Sequence, residues 1–142
     1  MKFKFRAQPN NQGTAWKIRV LDCGKVFFEQ DNIRELTNIE YEFDDDVDAV
    51  HQVQIEISGK LPSDTVIDQD GNIIKDNVLE LTDFVLDEFD VNQIVYSKAV
   101  YRHDFNGTQD IINDQFFSTV GCNGVISFEF QSPVYIWLLE VM

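Results

Sequence analysis

Positive charge is scarce in this chain: its 142 residues include 11 lysines and arginines against 25 aspartates and glutamates. The resulting net charge of −14 repels phosphate backbones and anionic lipid surfaces. We therefore expect no nucleic acid as a partner. A surplus of carboxylates keeps a protein soluble, and it also attracts cations and basic protein surfaces.

Long apolar runs are missing as well. No segment approaches the ~20 apolar residues of a membrane-spanning helix, so we expect no membrane insertion. The N-terminal sequence, MKFKFRAQPN, lacks the apolar stretch of ~7–15 residues that characterises a signal peptide. We therefore expect synthesis in the cytoplasm, which also suits a virion protein that is made inside a cell.

Cysteine and histidine are rare. Cys23 and Cys122 lie far apart without metal-ligand spacing, and the sequence leaves open whether they pair. His51 and His103 are the only histidines, and no serine or cysteine accompanies them in a recognisable nucleophile turn. No glycine-rich phosphate loop is present either. These absences predict a protein that is not an enzyme.

The dominant pattern is the two-residue alternation of β-strands. In the segment Ile39–Lys60, apolar residues alternate with polar ones on both sides of an acidic loop. About nine or ten such strand candidates occur, with turn signals every ~8–12 residues, which is typical of sandwiches and barrels. We predict one domain, residues 1–142, folded as an all-β, jelly-roll-like sandwich of two antiparallel sheets.

Individual segments refine this prediction. Asp70-Gly71 indicates a tight hairpin turn. Val78–Asp90 fits a strand with a bulge near Thr82-Asp83, and an amphipathic helix is the alternative. Gln93–Arg102 is interpreted as a β-rich run, and Val134–Val141 as an apolar strand that closes the chain.

The densest cluster of carboxylates lies in the loop of Ile39–Lys60, at Asp44, Asp45, Asp46 and Asp48. Ca²⁺ prefers six to eight oxygen ligands from carboxylates, amides and carbonyls. These four aspartates are therefore the candidate metal ligands, and Ca²⁺ is the candidate cofactor. The alternative is a solvated loop, because charged connections between strands are usually hydrated.

Aromatic side chains supply a second kind of candidate site. The two tryptophans and four tyrosines could together offer flat rings for stacking against a sugar. Trp16, Tyr41 and Tyr101 are the candidate ligand-binding residues. Core packing is the alternative, and it is favoured for Trp137, which lies within an apolar run.

Three features along the first part of the chain invite comparison with known families. They are the hairpin pattern of Trp16–Gln30, the sequence Tyr41-Glu42-Phe43 before the acidic loop, and the strand pattern of Val53–Gly59. Together they resemble the jelly-roll carbohydrate-binding modules, including the calcium-dependent xylan-binding ones. The compact acidic chain, with His103–Gly107 and Gly121–Met142, also resembles small virion proteins of tailed phages.

These resemblances imply a non-catalytic module that decorates a particle or contacts host glycans. Our first interpretation is a phage virion accessory protein whose partners are other protein subunits. The first alternative is a Ca²⁺-dependent carbohydrate-binding module, in which a loop-held cation coordinates sugar hydroxyls while a Tyr or Trp stacks on the ring. A further alternative is an acidic inhibitor that binds a basic protein. The sequence leaves an oligomer open.

Overall fold

Alternating apolar and polar side chains produce a fold made almost entirely of strands. The computed structural model describes residues 1–44 and 48–141. The strands are β1 (Lys2–Pro9), β2 (Trp16–Asp22), β3 (Lys25–Ile33), β4 (Thr37–Glu42), β5 (Ala49–Ser58), β6 (Thr65–Ile67), β7 (Ile73–Asp76), β8 (Leu79–Leu86), β9 (Phe89–Asp90), β10 (Val100–His103), β11 (Ile112–Gln115), β12 (Thr119–Val120) and β13 (Gly124–Ser132). A 3₁₀ turn, Pro62–Asp64, and two helices, α1 (Asn92–Lys98) and α2 (Val134–Val141), complete the described elements.

The strands form two main antiparallel sheets. The five-stranded sheet has the order β12–β8–β1–β4, with β9 paired to β8, and the six-stranded sheet has the order β11–β10–β13–β5–β2–β3. Strands β6 and β7 form a separate hairpin. The predicted all-β, jelly-roll-like sandwich of two antiparallel sheets is therefore confirmed.

The core lies between the two sheets because each strand turns one parity of side chains inward. Phe3 and Phe5 of β1 are buried, and so are Ile18 of β2 and Ile55 of β5. The rings of Phe3 and Phe128, which belong to different sheets, lie 5.7 Å apart between centroids. The opposite parity is mostly polar and faces solvent.

The segment Ile39–Lys60 crosses from one sheet to the other. Strand β4 forms an edge of the five-stranded sheet, whereas β5 lies between β13 and β2 in the six-stranded sheet. The two strands do not pair with each other, so the acidic loop connects the sheets at one end of the sandwich. Three residues of this loop, 45–47, lie outside the described residues.

Two of the strand assignments are wrong because short helices take their place. Within Gln93–Arg102, residues up to Lys98 belong to α1, and only the last part forms β10. Val134–Val141 is entirely helix α2, whose buried residues Val134, Trp137 and Leu138 share one helical face. Because nearly every position of this segment is apolar, its sequence does not distinguish a helix from a strand.

Two other local predictions, the bulge and the hairpin turn, are confirmed. The bulge near Thr82-Asp83 is present, since the register of β1 and β8 shifts there and Asp83 adopts a positive φ of 57°. Asp70-Gly71 lies in the turn between β6 and β7. Cys23 and Cys122 are free thiols. Within the described part of the chain, no helix is long and apolar enough to cross a membrane.

Candidate functional site

A row of side chains crosses the outer face of the six-stranded sheet. Arg19 of β2 is paired with Glu56 of β5, Glu56 with Val125 of β13, and Val125 with Arg102 of β10. Their strand neighbours point into the core, so the members of this row share the solvent-facing side. The register of four strands, distant in sequence, thereby assembles one surface.

A pocket of about 470 Å³ opens on this row, and we call it the outer-face pocket. Its charged and apolar lining includes Lys17, Arg19, Glu56, Arg102, Asp104 and Val125. Charged groups of both signs surround the apolar surface of Val125. Such a surface can donate and accept hydrogen bonds around a polar ligand while contacting its apolar faces.

The basic residues of the pocket differ in how firmly they are paired. Lys17 Nζ lies 3.1 Å from Glu29 Oε1. Arg19 is held more loosely, with Nε 3.6 Å from Glu29 and Nη1 3.7 Å from Glu56, distances longer than hydrogen bonds. The Arg19 Nε donor is buried and has no hydrogen-bond partner within residues 1–44 and 48–141. This guanidinium therefore has unused donor capacity.

Arg102 is the least engaged of the arginines. Its cross-strand neighbours, Val125 and Asn113, are uncharged, and its side chain forms no ion pair or hydrogen bond to a described residue. The arginines Arg6 and Arg34, by contrast, bind oxygen atoms at 3.0 Å and 2.6 Å. Arg102 thus presents an unpaired cation at the pocket wall.

The inner side of the same strand anchors this wall. His103 Nε2 lies 2.8 Å from Asp114 Oδ2, and its ring stacks 4.4 Å from the ring of Tyr101. The Tyr101 hydroxyl donates to the Cys122 carbonyl and accepts from the Cys122 N–H at 3.1 Å. Burial raises the pKa of Tyr101 above its ordinary value, so the phenol stays neutral. These contacts hold β10, and with it Arg102, against β11 and the loop that precedes β13.

The three aromatic residues that the sequence singled out are all buried. Trp16 has no exposed surface, and Tyr41 and Tyr101 are each 6% exposed. None of them presents an open ring face in this structure, because the even parity of β2 and the inner faces of β4 and β10 pack into the core. They do not form a flat sugar-stacking platform here, and their role as ligand-binding residues stays a prediction.

The acidic loop is only partly within the described structure. Asp44 and Asp48 are exposed, whereas Asp45 and Asp46 lie outside the described residues. Among the residues that are described, no three carboxylate, histidine or cysteine side chains come together as a metal site. The described residues alone therefore do not form a Ca²⁺ site.

Sequence reasoning missed a polar network inside one end of the sandwich. Asp22 Oδ2 lies 2.6 Å from His51 Nδ1, and His51 Nε2 lies 3.1 Å from Ser132 Oγ. All three are 5–8% exposed, and the His51 ring lies between the rings of Phe43 and Phe130 at 4.8–4.9 Å. The order of groups is that of a hydrolase triad, but this enclosure favours a structural role.

A signal for this network was present in the chain. His51 has the same parity as the buried residues Val53 and Ile55, and Asp22 has the same parity as Val20. Polar residues on an apolar parity must find partners inside the protein. Ser132 likewise shares the parity of the buried Phe128 and Phe130, so parity predicts three buried polar groups, although it cannot predict that the three meet.

Comparison with known proteins bears on the fold. No protein-family model and no curated protein matches this chain. Among solved structures, vCBM60 in complex with galactobiose matches with a TM-score of 0.54 and 12% identity over 90% of this chain and 97% of that one. A second vCBM60 structure matches with a TM-score of 0.54 and 10% identity, over 89% and 88% of the two chains. That structure is described as linking two families of calcium-dependent carbohydrate binding modules.

At this level of identity the likeness establishes the fold alone. Nothing in the described structure or the comparisons supports the virion-accessory interpretation. The acidic-inhibitor alternative and an oligomeric state stay predictions.

Proposed function

We propose that this chain is a carbohydrate-binding module that holds an oligosaccharide in the outer-face pocket. The observation that carries the proposal is the pocket itself, a concave surface of about 470 Å³ with mixed polar and apolar lining on an exposed sheet. The fold likeness to a module bound to galactobiose supports the choice of ligand class. Glycan is accordingly the proposed partner.

The chemistry of the pocket suits sugar hydroxyls. A hydroxyl both donates and accepts, so it can bridge a guanidinium and a carboxylate. Arg19 and Glu56 form such a pair across two strands, with their closest charged atoms 3.7 Å apart. Val125 supplies the apolar surface against which the C–H face of a pyranose ring packs. Sugar binding here requires no chemical step.

The test measures binding of galactobiose and a panel of neutral oligosaccharides by calorimetry. We expect Glu56→Gln to weaken binding about tenfold, since a hydrogen bond to a charged group is lost. The matched control is Glu40→Gln, which alters an exposed glutamate on the outer face of the other sheet. A loss of binding in the control but not in Glu56→Gln would contradict this location.

Calcium dependence is a separate hypothesis that rests on the acidic loop and on the second vCBM60 structure. A cation held by Asp44, Asp45, Asp46 and Asp48 would bind the native state and raise the thermal unfolding midpoint. The hypothesis therefore predicts a larger rise with Ca²⁺ than with equal Mg²⁺, and its loss in Asp44→Asn with Asp48→Asn. Equal midpoints in Ca²⁺, Mg²⁺ and EDTA would reject it.

A further inference from the structure

We propose that the preferred ligands of the outer-face pocket are oligosaccharides that contain uronic acid residues, whose carboxylates bind Arg102 and Arg19. This inference rests on the proposed function and specifies its ligand class. Both guanidinium groups make fewer hydrogen bonds and ion pairs than they could, although the chain is rich in carboxylates.

Arg102 is an exposed arginine without an ion pair to a described residue. A chain with 25 acidic residues offers many carboxylates with which an exposed arginine could pair. Arg102 nevertheless has uncharged cross-strand neighbours and no ion pair with a described residue. It lines the pocket, so its five donors point to a place where a ligand can reach them. A carboxylate matches the planar fork of a guanidinium in a bidentate pair.

Arg19 is only loosely paired with its two neighbouring glutamates. Its guanidinium lies between Glu29 and Glu56 at distances of 3.6 Å and 3.7 Å, and its Nε makes no hydrogen bond within the described chain. A buried donor without a partner is unfavourable by an amount comparable to a lost hydrogen bond. Because Nε itself is enclosed, a ligand oxygen would bind this guanidinium through its Nη donors at the pocket wall.

The spacing of the two arginines suits more than one sugar residue. Arg19 and Arg102 are separated by three strand-to-strand steps, which place their backbones about 14 Å apart. Both side chains can reach toward the surface of Val125 between them. A sugar ring over Val125 could therefore carry its carboxylate to one guanidinium while the neighbouring residue of the chain reaches the other.

The net charge of −14 opposes any anionic ligand at long range. At physiological ionic strength, repulsion between charges more than about 8 Å apart is largely screened, whereas a direct ion pair is screened much less. At the pocket, Lys17, Arg19 and Arg102 offset Glu56, Asp104 and the adjacent Glu29. The local environment is therefore much less negative than the molecule as a whole.

The experiment compares an oligomer of galacturonic acid with the same oligomer after methyl esterification, which removes the charge and keeps the sugar chain. Galacturonic acid is galactose oxidised at C6, so the pair stays close to the galactobiose ligand of the similar fold. We expect the free acid to bind about tenfold tighter by calorimetry, because a charge-assisted hydrogen bond contributes that factor. Added salt relieves the long-range repulsion and screens the direct ion pair much less, so it should not remove the preference for the acid.

Variants locate the interaction. Arg102→Gln should abolish the preference for the acid, and Arg102→Lys should restore it only in part because the bidentate fork is lost. The control is Arg6→Gln, which removes an exposed arginine on the other sheet and should leave the preference intact. Unchanged thermal melting of each variant shows that the fold is kept.

The remaining outcomes separate this inference from the proposed function. Equal binding of acid and ester, or tighter binding of the ester, overturns the uronate preference and leaves glycan binding in place. A preference that persists in Arg102→Gln also overturns it. Absence of binding to both oligomers and to the neutral panel overturns the proposed function together with the inference.

Discussion

At the scale of single residues, this protein keeps several polar atoms in its core without partners. The Tyr41 hydroxyl and Asp22 Oδ1 are both buried, and neither has a hydrogen bond within the described ranges. An unsatisfied buried polar atom destabilises the folded state, because it has lost water without gaining a partner. A substitution that removes such an atom should therefore stabilise the fold, whereas most core substitutions destabilise it.

Tyr41→Phe is expected to be such a stabilising substitution. The substitution removes the orphaned hydroxyl and keeps the ring, which packs against Phe3 at 5.4 Å between centroids. We expect urea denaturation to show a variant as stable as the wild type or up to about 1 kcal/mol more stable. A loss of 1 kcal/mol or more would mean that the hydroxyl has a partner. Glycan binding should not change, since Tyr41 is buried away from the outer-face pocket.

The same variant should change the response to alkaline pH. Burial, reinforced by the charge of Asp22, raises the pKa of Tyr41 well above its ordinary value. The free energy of unfolding does not depend on this tyrosine's ionisation below the unfolded-state pKa of about 10. Above that pH it falls, because the phenol ionises readily only in the unfolded state. Tyr41→Phe should therefore lose less stability above about pH 10 than Tyr135→Phe, in which an exposed tyrosine is changed.

The Asp22–His51–Ser132 network should respond more strongly to a single change. His51→Phe fits among Phe43 and Phe130 but removes the hydrogen bond to the Asp22 carboxylate. Leaving one member of a buried pair alone typically costs about 3 kcal/mol or more. Adding Asp22→Leu to the same chain should recover much of this loss, since the buried carboxylate that lost its partner is then gone as well. A double variant no more stable than the single one, by urea denaturation, would contradict this account.

At the scale of elements, some were predictable from local chemistry and others were not. The β2–β3 hairpin follows from the alternation of β2 and from the turn at Cys23-Gly24, where both residues adopt positive φ. The β8 bulge follows from the change of parity around Asp83. Helix α2 was missed because its apolar residues cover almost every position, so neither period stands out until burial of Val134, Trp137 and Leu138 selects one.

Gly59 and Gly71 both adopt a positive φ, but only Gly59 lies close to another backbone segment. Gly59 follows β5 with φ +103°, and a Cβ there would lie 2.2 Å from the Ala15 carbonyl oxygen. Gly71 has φ +84° in the β6–β7 turn, and nothing lies within 4 Å of its Cβ position. Both substitutions to alanine incur the cost of a positive φ, about 1 kcal/mol, but only Gly59→Ala adds a clash with backbone.

We therefore expect Gly59→Ala to be the more destabilising variant by about 2 kcal/mol or more, measured from urea midpoints at constant slope. Gly71→Ala serves as the matched control for the backbone term alone. Equal losses in the two variants would show that β2 and β5 move apart at this end without cost.

At the scale of the whole molecule, the candidate site depends on register rather than on any local sequence. Arg19, Glu56, Val125 and Arg102 come from four strands that only the sheet order brings side by side. Their outward parity could be predicted from each strand alone. Which strand pairs with which, and by what offset, depends on contacts between distant segments that alternation does not encode. The sequence could therefore predict the layers but not the pocket.

The net charge of −14 acts on the whole fold through self-repulsion, which salt should relieve. Added salt also weakens surface ion pairs such as Lys2–Glu40 and Lys17–Glu29, but exposed pairs contribute little each. Repulsion should dominate, so the thermal midpoint should rise by several degrees between about 0.02 and 0.3 M NaCl. A chain with Asp31→Asn, Asp70→Asn and Asp110→Asn, all exposed, should show a smaller rise. A midpoint that falls with salt would mean that the paired charges outweigh the surplus.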